Sequence, residues 1–160
     1  MLWARIVLAV AVLSTGLFTG LLVYIVGMFQ PLLSQLTATE FAVVMGRFLP
    51  AARRNWLNYL FTLTSLLAPV LVLVLLRGHI DSAMFWLTLV AAVAFLAGPI
   101  LGSRFVAEPL YDVMLAWDVR DPPADWYVAR SRYYRINAIR TACSLTAFVL
   151  QVAALGQPNP

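Results

Sequence analysis

The chain has 160 residues, 62% of them hydrophobic and only 11% charged, and its net charge of +4 comes from eleven arginines with no lysine. At a mean hydropathy of +0.87 there are too few charges to solvate a soluble globule, which excludes a water-soluble enzyme or nucleic-acid-binding domain and points to an integral membrane protein. Cys143 is the only cysteine and His79 the only histidine, so an internal disulfide, a two-thiol relay, paired-histidine haem ligation and a histidine-rich metal site within one chain are all excluded.

Four apolar runs, 3–29, 56–76, 84–105 and 136–155, are each long enough to cross the bilayer, since a hydrocarbon core of about 30 Å needs roughly 20 apolar residues in a helix. The reading is an all-α, integral membrane four-helix bundle forming a single domain over 1–160, with one short amphipathic helix between the first two spans. The first run has the short basic start of a secretory signal, Met1 to Arg5. Its apolar stretch continues well past the roughly 7 to 15 residues of a signal core, so it is expected to remain as a span. Gly16 and Gly20 form a small-xxx-small pair in this run, as do Gly98 and Gly102 in the third, and both pairs are expected to pack helices within the chain.

Between the first two spans, Thr37 and Glu40 match a capping box, and Phe41, Val44, Met45, Phe48 and Leu49 then fall on one face before Pro50. This amphipathic helix is expected to lie either on the membrane surface, the favoured arrangement, or across the bundle mouth. The second span carries Asn58, Thr62, Ser65 and Pro69 on one face. A short turn, Arg77 to Ser82, leads to the third span, and Glu108 and Asp112 at its exit share a face if the helix continues through Pro109.

Pro122 and Pro123 interrupt the next connection, and Asp125 is placed to cap a helix that meets no breaker from Trp126 to Leu155. That helix should project from the membrane by about two turns, putting Arg130, Arg132 and Arg135 among headgroups or water. Tyr133, Asn137, Arg140, Thr141 and Ser144 form a second polar stripe. Polar groups in hydrocarbon need partners, so this stripe is expected to face that of the second span or a shared cavity. Arg140 lies a full turn inside its span, where an arginine costs on the order of 3 kcal/mol or more. It therefore needs an anion, a carboxylate or several carbonyls. Glu108 and Asp112 are the acidic candidates, either pairing with Arg104 or Arg140, the favoured role, or acting as a general base, because a carboxyl group partly withdrawn from water takes up protons near neutrality.

Orientation follows from arginine bias. The two long connections hold Arg47, Arg53, Arg54, Arg120, Arg130, Arg132 and Arg135, against Arg5 and Arg77 on the other side, so the long connections are expected in the cytoplasm and both termini outside.

The glycine-rich TGLFTGLLVYIVGMFQPLL, the segment FAVVMGRFLPAARRNW, and EPLYDVMLAW followed by PPADWYVARSRYYRINAIRTACSL together resemble the DUF1772 family, which includes the anthrone oxygenases. The resemblance runs over nearly the whole chain and is most specific from Trp126 to Thr141. The chain departs from the family pattern beside Pro109, where Ala107 and Tyr111 replace asparagines.

The resemblance implies oxidation of a lipophilic aromatic or polyketide substrate by O2 inside the bundle, without metal, haem or flavin. An anthrone has an acidic methylene, and its enolate reduces dioxygen directly. In that reading Glu108 or Asp112 is the base, Arg140 with Asn137 or Asn58 donates to the enolate oxygen, and Tyr59, Tyr111, Trp126 and Tyr134 wall the substrate beside Thr62. The same aromatics would otherwise form an interfacial belt. The competing reading is a non-catalytic membrane protein that binds a lipid or hydrophobic ligand, or an accessory subunit of a larger complex. A transporter is disfavoured because no inverted repeat or broken helix pair is visible. The partners implied are the bilayer and a hydrophobic aromatic molecule, not nucleic acid, with homo-oligomerisation left open.

Overall fold

Backbone polar groups in hydrocarbon have to be satisfied within their own segment, so each apolar run becomes a helix. The computed structural model describes residues 2–158. Four long apolar helices, α1 (Leu2–Leu33), α3 (Trp56–Leu75), α4 (Ala83–Leu115) and α5 (Trp126–Leu155), are joined by the shorter α2 (Ala38–Arg54). No strand occurs among the described residues, and the protein is a multi-pass membrane bundle.

Helices α1 and α4 run on past their apolar runs, and prolines explain how. A proline has no N–H and crowds the carbonyl four residues back, yet Pro31 and Pro109 both sit inside continuous helix. In each case a π-helical stretch comes first, Ile25–Phe29 in α1 and Leu96–Ala107 in α4. Gln30 and Glu108, just before the prolines, donate five residues back to the carbonyls of Ile25 and Ser103. The wider turn admits the ring, and the helix continues.

Helix α1 packs against α3 and α5, and α4 packs against the same two, which leaves α3 and α5 across the diagonal. The polar stripes of the second and fourth spans therefore do not interlock directly, contrary to one of the two arrangements expected. Ser144 pairs instead with Thr19 of α1, hydroxyl to hydroxyl at 2.7 Å, and Thr141 donates to the Asn137 carbonyl of its own helix at 2.7 Å. The two stripes approach each other only at a cavity near one end.

Glycines set the closest approach. A Cβ at Gly98 would land on Cys143, and one at Gly102 would lie 3.4 Å from Ile136, so α4 and α5 touch there nearly backbone to backbone. A Cβ at Gly16 would lie 2.9 Å from the Phe148 ring, whereas Gly20 faces open space. Packing within the chain accounts for all of these glycines except Gly20.

The capping box at α2 forms as expected: the Thr37 N–H donates to Glu40 Oε2 at 2.8 Å and the Glu40 N–H to Thr37 Oγ1 at 3.5 Å. The bond from the Thr37 backbone, with that from its hydroxyl, holds the Glu40 carboxyl below its usual range. The helix does not stop at Pro50 but runs to Arg54, because Leu49 is buried and Arg53 is anchored on α4. Nor does it lie on the membrane surface. Phe41, Ala42, Met45 and Leu49 are buried, the larger three in one cluster with Leu33, Met114 and Tyr133. The reason lies in the end of α4 and the first turns of α5, which offer Tyr111, Met114, Trp126 and Tyr133 for α2 to cover. Phe41 meets the Trp126 ring at 5.4 Å. Helix α2 is thus a roof across one end.

Asp125 occupies the residue before α5 but makes no capping bond through its side chain. Backbone bonds open the helix instead, Trp126 N–H to Pro123 O at 3.0 Å and Val128 N–H to Asp125 O at 2.8 Å. At the other end, Arg5 Nη2 donates to the carbonyls of Leu155 and Gln157 at 3.0 and 2.8 Å, which satisfies carbonyls left open by the last turn of α5.

Seven arginines in the connections on the roofed side against two on the other predict the roofed end in the cytoplasm. Reporter fusions near Glu40 and Asp121 should read as cytoplasmic, and fusions near Asp81 and at the C-terminus as external. A cytoplasmic C-terminus would reverse the orientation without affecting the bundle.

Candidate active site: a polar cavity beneath the roof helix

Because α3 and α5 stand apart across the diagonal, a cavity of about 370 Å³ remains under α2, within the size range of small-molecule pockets. Leu21, Leu22 and Ile25 of α1 and Phe48 and Leu49 of α2 give it apolar walls. Its polar lining comes from Arg53, Asn55, Asn58, Tyr59, Thr62, Glu108, Tyr111, Tyr133, Asn137 and Arg140.

Arg140 and Asn137 stand one turn apart on α5, so their contact is built into the helix. Arg140 Nη1 donates to Asn137 Oδ1 at 3.0 Å and to the Tyr111 hydroxyl at 3.4 Å. Asn137 Nδ2 in turn donates to the Tyr133 carbonyl at 3.0 Å, which aims the amide oxygen at the guanidinium. Arg140 Nε is buried with no partner.

The carboxylates are placed differently from the favoured expectation. Glu108 and Asp112 do share a face of α4, but they pair with neither Arg104 nor Arg140. Both are held by Arg53 at the end of the roof, whose Nη2 lies 2.6 Å from Glu108 Oε2 and 2.7 Å from Asp112 Oδ1. The same nitrogen reaches the Glu108 carbonyl at 3.3 Å, and the guanidinium lies 5.8 Å over the Tyr111 ring. The bond to Asp112, backed by Glu108, holds the Arg53 guanidinium above its usual range against the opposing effect of burial. Arg140 is left with no carboxylate partner among the described residues. The charged lining of the cavity is two guanidiniums and one carboxylate, Glu108.

Glu108, Asn137, Arg140, Asn58, Tyr59, Thr62 and Tyr111 are thus brought together, and Asp112, Trp126 and Tyr134 are not. The Asp112 side chain is 69% exposed, outside the cavity. Trp126 supports the roof and carries the Arg130 guanidinium 4.5 Å over its ring. The Tyr134 hydroxyl donates to the Gln30 carbonyl at 2.9 Å, clamping α1 to α5. Of the polar lining residues, Arg53 and Asn55 were missed by sequence reasoning, while Tyr133 belongs to the stripe expected to face a cavity. Asn55 alone separates α2 from α3 and turns the end of α2 back over the bundle, but with the amphipathic helix expected to end at Pro50 nothing in the sequence signalled Arg53.

The fold and site define a helical membrane bundle with a roofed, partly polar cavity within the size range of small-molecule pockets. A family model described as anthrone oxygenase matches residues 53–150, and the chain belongs to that family. The match is shorter than the resemblance read from the sequence, leaving out α1 and most of α2, but it includes every polar lining residue. No curated protein and no solved structure matches the chain.

Proposed function

We propose that this protein is a cofactor-independent oxygenase that converts an anthrone-like, lipophilic aromatic to a quinone in the cavity beneath α2. The observation that carries the reading is Arg140: a permanent cation with no carboxylate partner among the described residues, lining the same cavity as Glu108. Such a donor fits an oxygen that gains negative charge during reaction.

In the proposed reaction Glu108 removes one proton from the substrate methylene, and the electron pair delocalises onto the carbonyl oxygen, which Arg140 receives. The enolate passes electrons to O2 and recombines with it at the former methylene carbon. Return of the proton gives a hydroperoxide. Loss of water, taking the remaining hydrogen of that carbon, leaves the second carbonyl. One O2 is consumed and one water released per quinone. Asn137 orients Arg140, while Tyr59 and Tyr111 supply aromatic wall. Tyr111, which stands where many family members have asparagine, keeps a polar hydrogen-bonding group at that position by reaching Arg140.

Purified protein in nanodiscs, supplied with a lipophilic anthrone, should consume one O2 per quinone formed, above the autoxidation measured with Arg140→Leu. Activity should persist through chelation, with no stoichiometric metal, haem or flavin in elemental analysis and the absorption spectrum. Saturable binding without oxygen uptake would support the non-catalytic ligand-binding reading instead.

A further inference from the structure

A second concavity, of about 760 Å³, lies on the outside of the bundle between the end of α4 and the start of α5. Helix α5 separates it from the cavity: Tyr133, Asn137 and Arg140 point inward, while Arg132, Arg135 and Ile139 line the outer groove. Phe105, Val106 and Ile136 complete its apolar floor. Phe105 is 70% exposed, an aromatic side chain largely without protein cover.

The depth of these residues follows from helix geometry. Thirty residues of α5 span about 45 Å at 1.5 Å each, against a hydrocarbon core of about 30 Å. Counting about 20 residues back from Leu155 reaches Ile136 and Arg135. Ile136 and Ile139 therefore lie at acyl-chain depth, and Arg135 and Arg132 at headgroup depth, one above the other on one helix face. Neither arginine has an ion pair or hydrogen bond among the described residues. Asp125, the acidic residue of the lining, leaves the groove with a net single positive charge.

We infer that this groove is a binding site for one anionic phospholipid, its phosphate held between Arg132 and Arg135 and an acyl chain lying over Phe105, Val106 and Ile139. The charge of the groove matches a phosphodiester lipid of net charge −1, phosphatidylglycerol in type, better than a zwitterion, whose ammonium group the two guanidiniums repel. This site is separate from the catalytic reading and does not depend on it.

Native mass spectrometry of the purified chain, released from nanodiscs of equal phosphatidylglycerol and phosphatidylethanolamine, tests it. The expected result is one retained phosphatidylglycerol, preferred about tenfold or more, as two arginines at headgroup depth imply. Arg132→Gln combined with Arg135→Gln should abolish the preference while leaving the thermal midpoint in lipid-free detergent unchanged; Arg54→Gln, on the roof, should leave the preference intact. Inorganic phosphate in millimolar excess should not displace the lipid. Equal retention of the two lipids, a preference that survives the double substitution, or displacement by free phosphate would each overturn the proposal.

Discussion

Arg140→Lys is expected to leave the bundle folded and to lower turnover of the anthrone substrate about 100-fold or more, the usual cost of removing one preorganised donor from a developing oxyanion. Lysine keeps the charge but not the planar fork. In this cavity Nη1 is held by Asn137 and Tyr111, which fixes the other nitrogens of the same plane in position. An ammonium group can occupy only one of these positions. Asn137→Leu should act in the same direction but more weakly, because it frees the guanidinium to turn without removing it. The loss should appear in kcat rather than KM, since the interaction strengthens as the enolate forms. Unchanged turnover in Arg140→Lys, with an unchanged melting temperature, would remove Arg140 from the mechanism.

The largest stability effect is expected at Gly98. A Cβ there would overlap that of Cys143 and lie 2.8 Å from its sulfur, and both atoms are fixed by helix backbones that cannot separate locally. Gly98→Ala should therefore cost about 1 to 3 kcal/mol or more, the range for forcing a methyl group into a filled core. The geometry supplies its own control. Adding Cys143→Ala should not restore stability, because the overlapping Cβ remains, whereas adding Cys143→Gly should recover much of it. Thermal unfolding in detergent reads all three variants. A stable Gly98→Ala single variant would mean that α4 and α5 do not approach as closely as described.

What was legible in the sequence was whatever short spacing determines. Run length located the spans, the Thr37 and Glu40 pair located the start of α2, and helical periodicity put Asn137 beside Arg140 and Glu108 beside Asp112. What could not be read was how faces turn toward one another. The apolar face of α2 is the same whether it meets lipid or the aromatics of α5, so amphipathicity alone favoured the wrong arrangement. Arg53, next to Arg54 ahead of a span, looks like any membrane-flanking arginine; only the fold brings it to Glu108, 55 positions away. The carboxylates' partner was misassigned for that reason. The diagonal placement of α3 and α5, which creates the cavity, likewise depends on small residues at Gly98 and Gly102 drawing α4 against α5.

Asn55 is at once the last cap of α2 and the first of α3: its N–H donates to the Ala52 carbonyl at 3.4 Å, and its side chain accepts from the Leu57 N–H at 3.0 Å. The roof and the second span thus share an elbow with no spare chain. The longer stretch at the far end of α2, Ser34 to Thr37, holds what slack there is. Lifting the roof then requires rotation at Asn55 and release of Arg53 from Glu108 and Asp112, so the cavity has one hinge and one latch, neighbours in the chain. Asp112, outside the cavity, belongs to that latch.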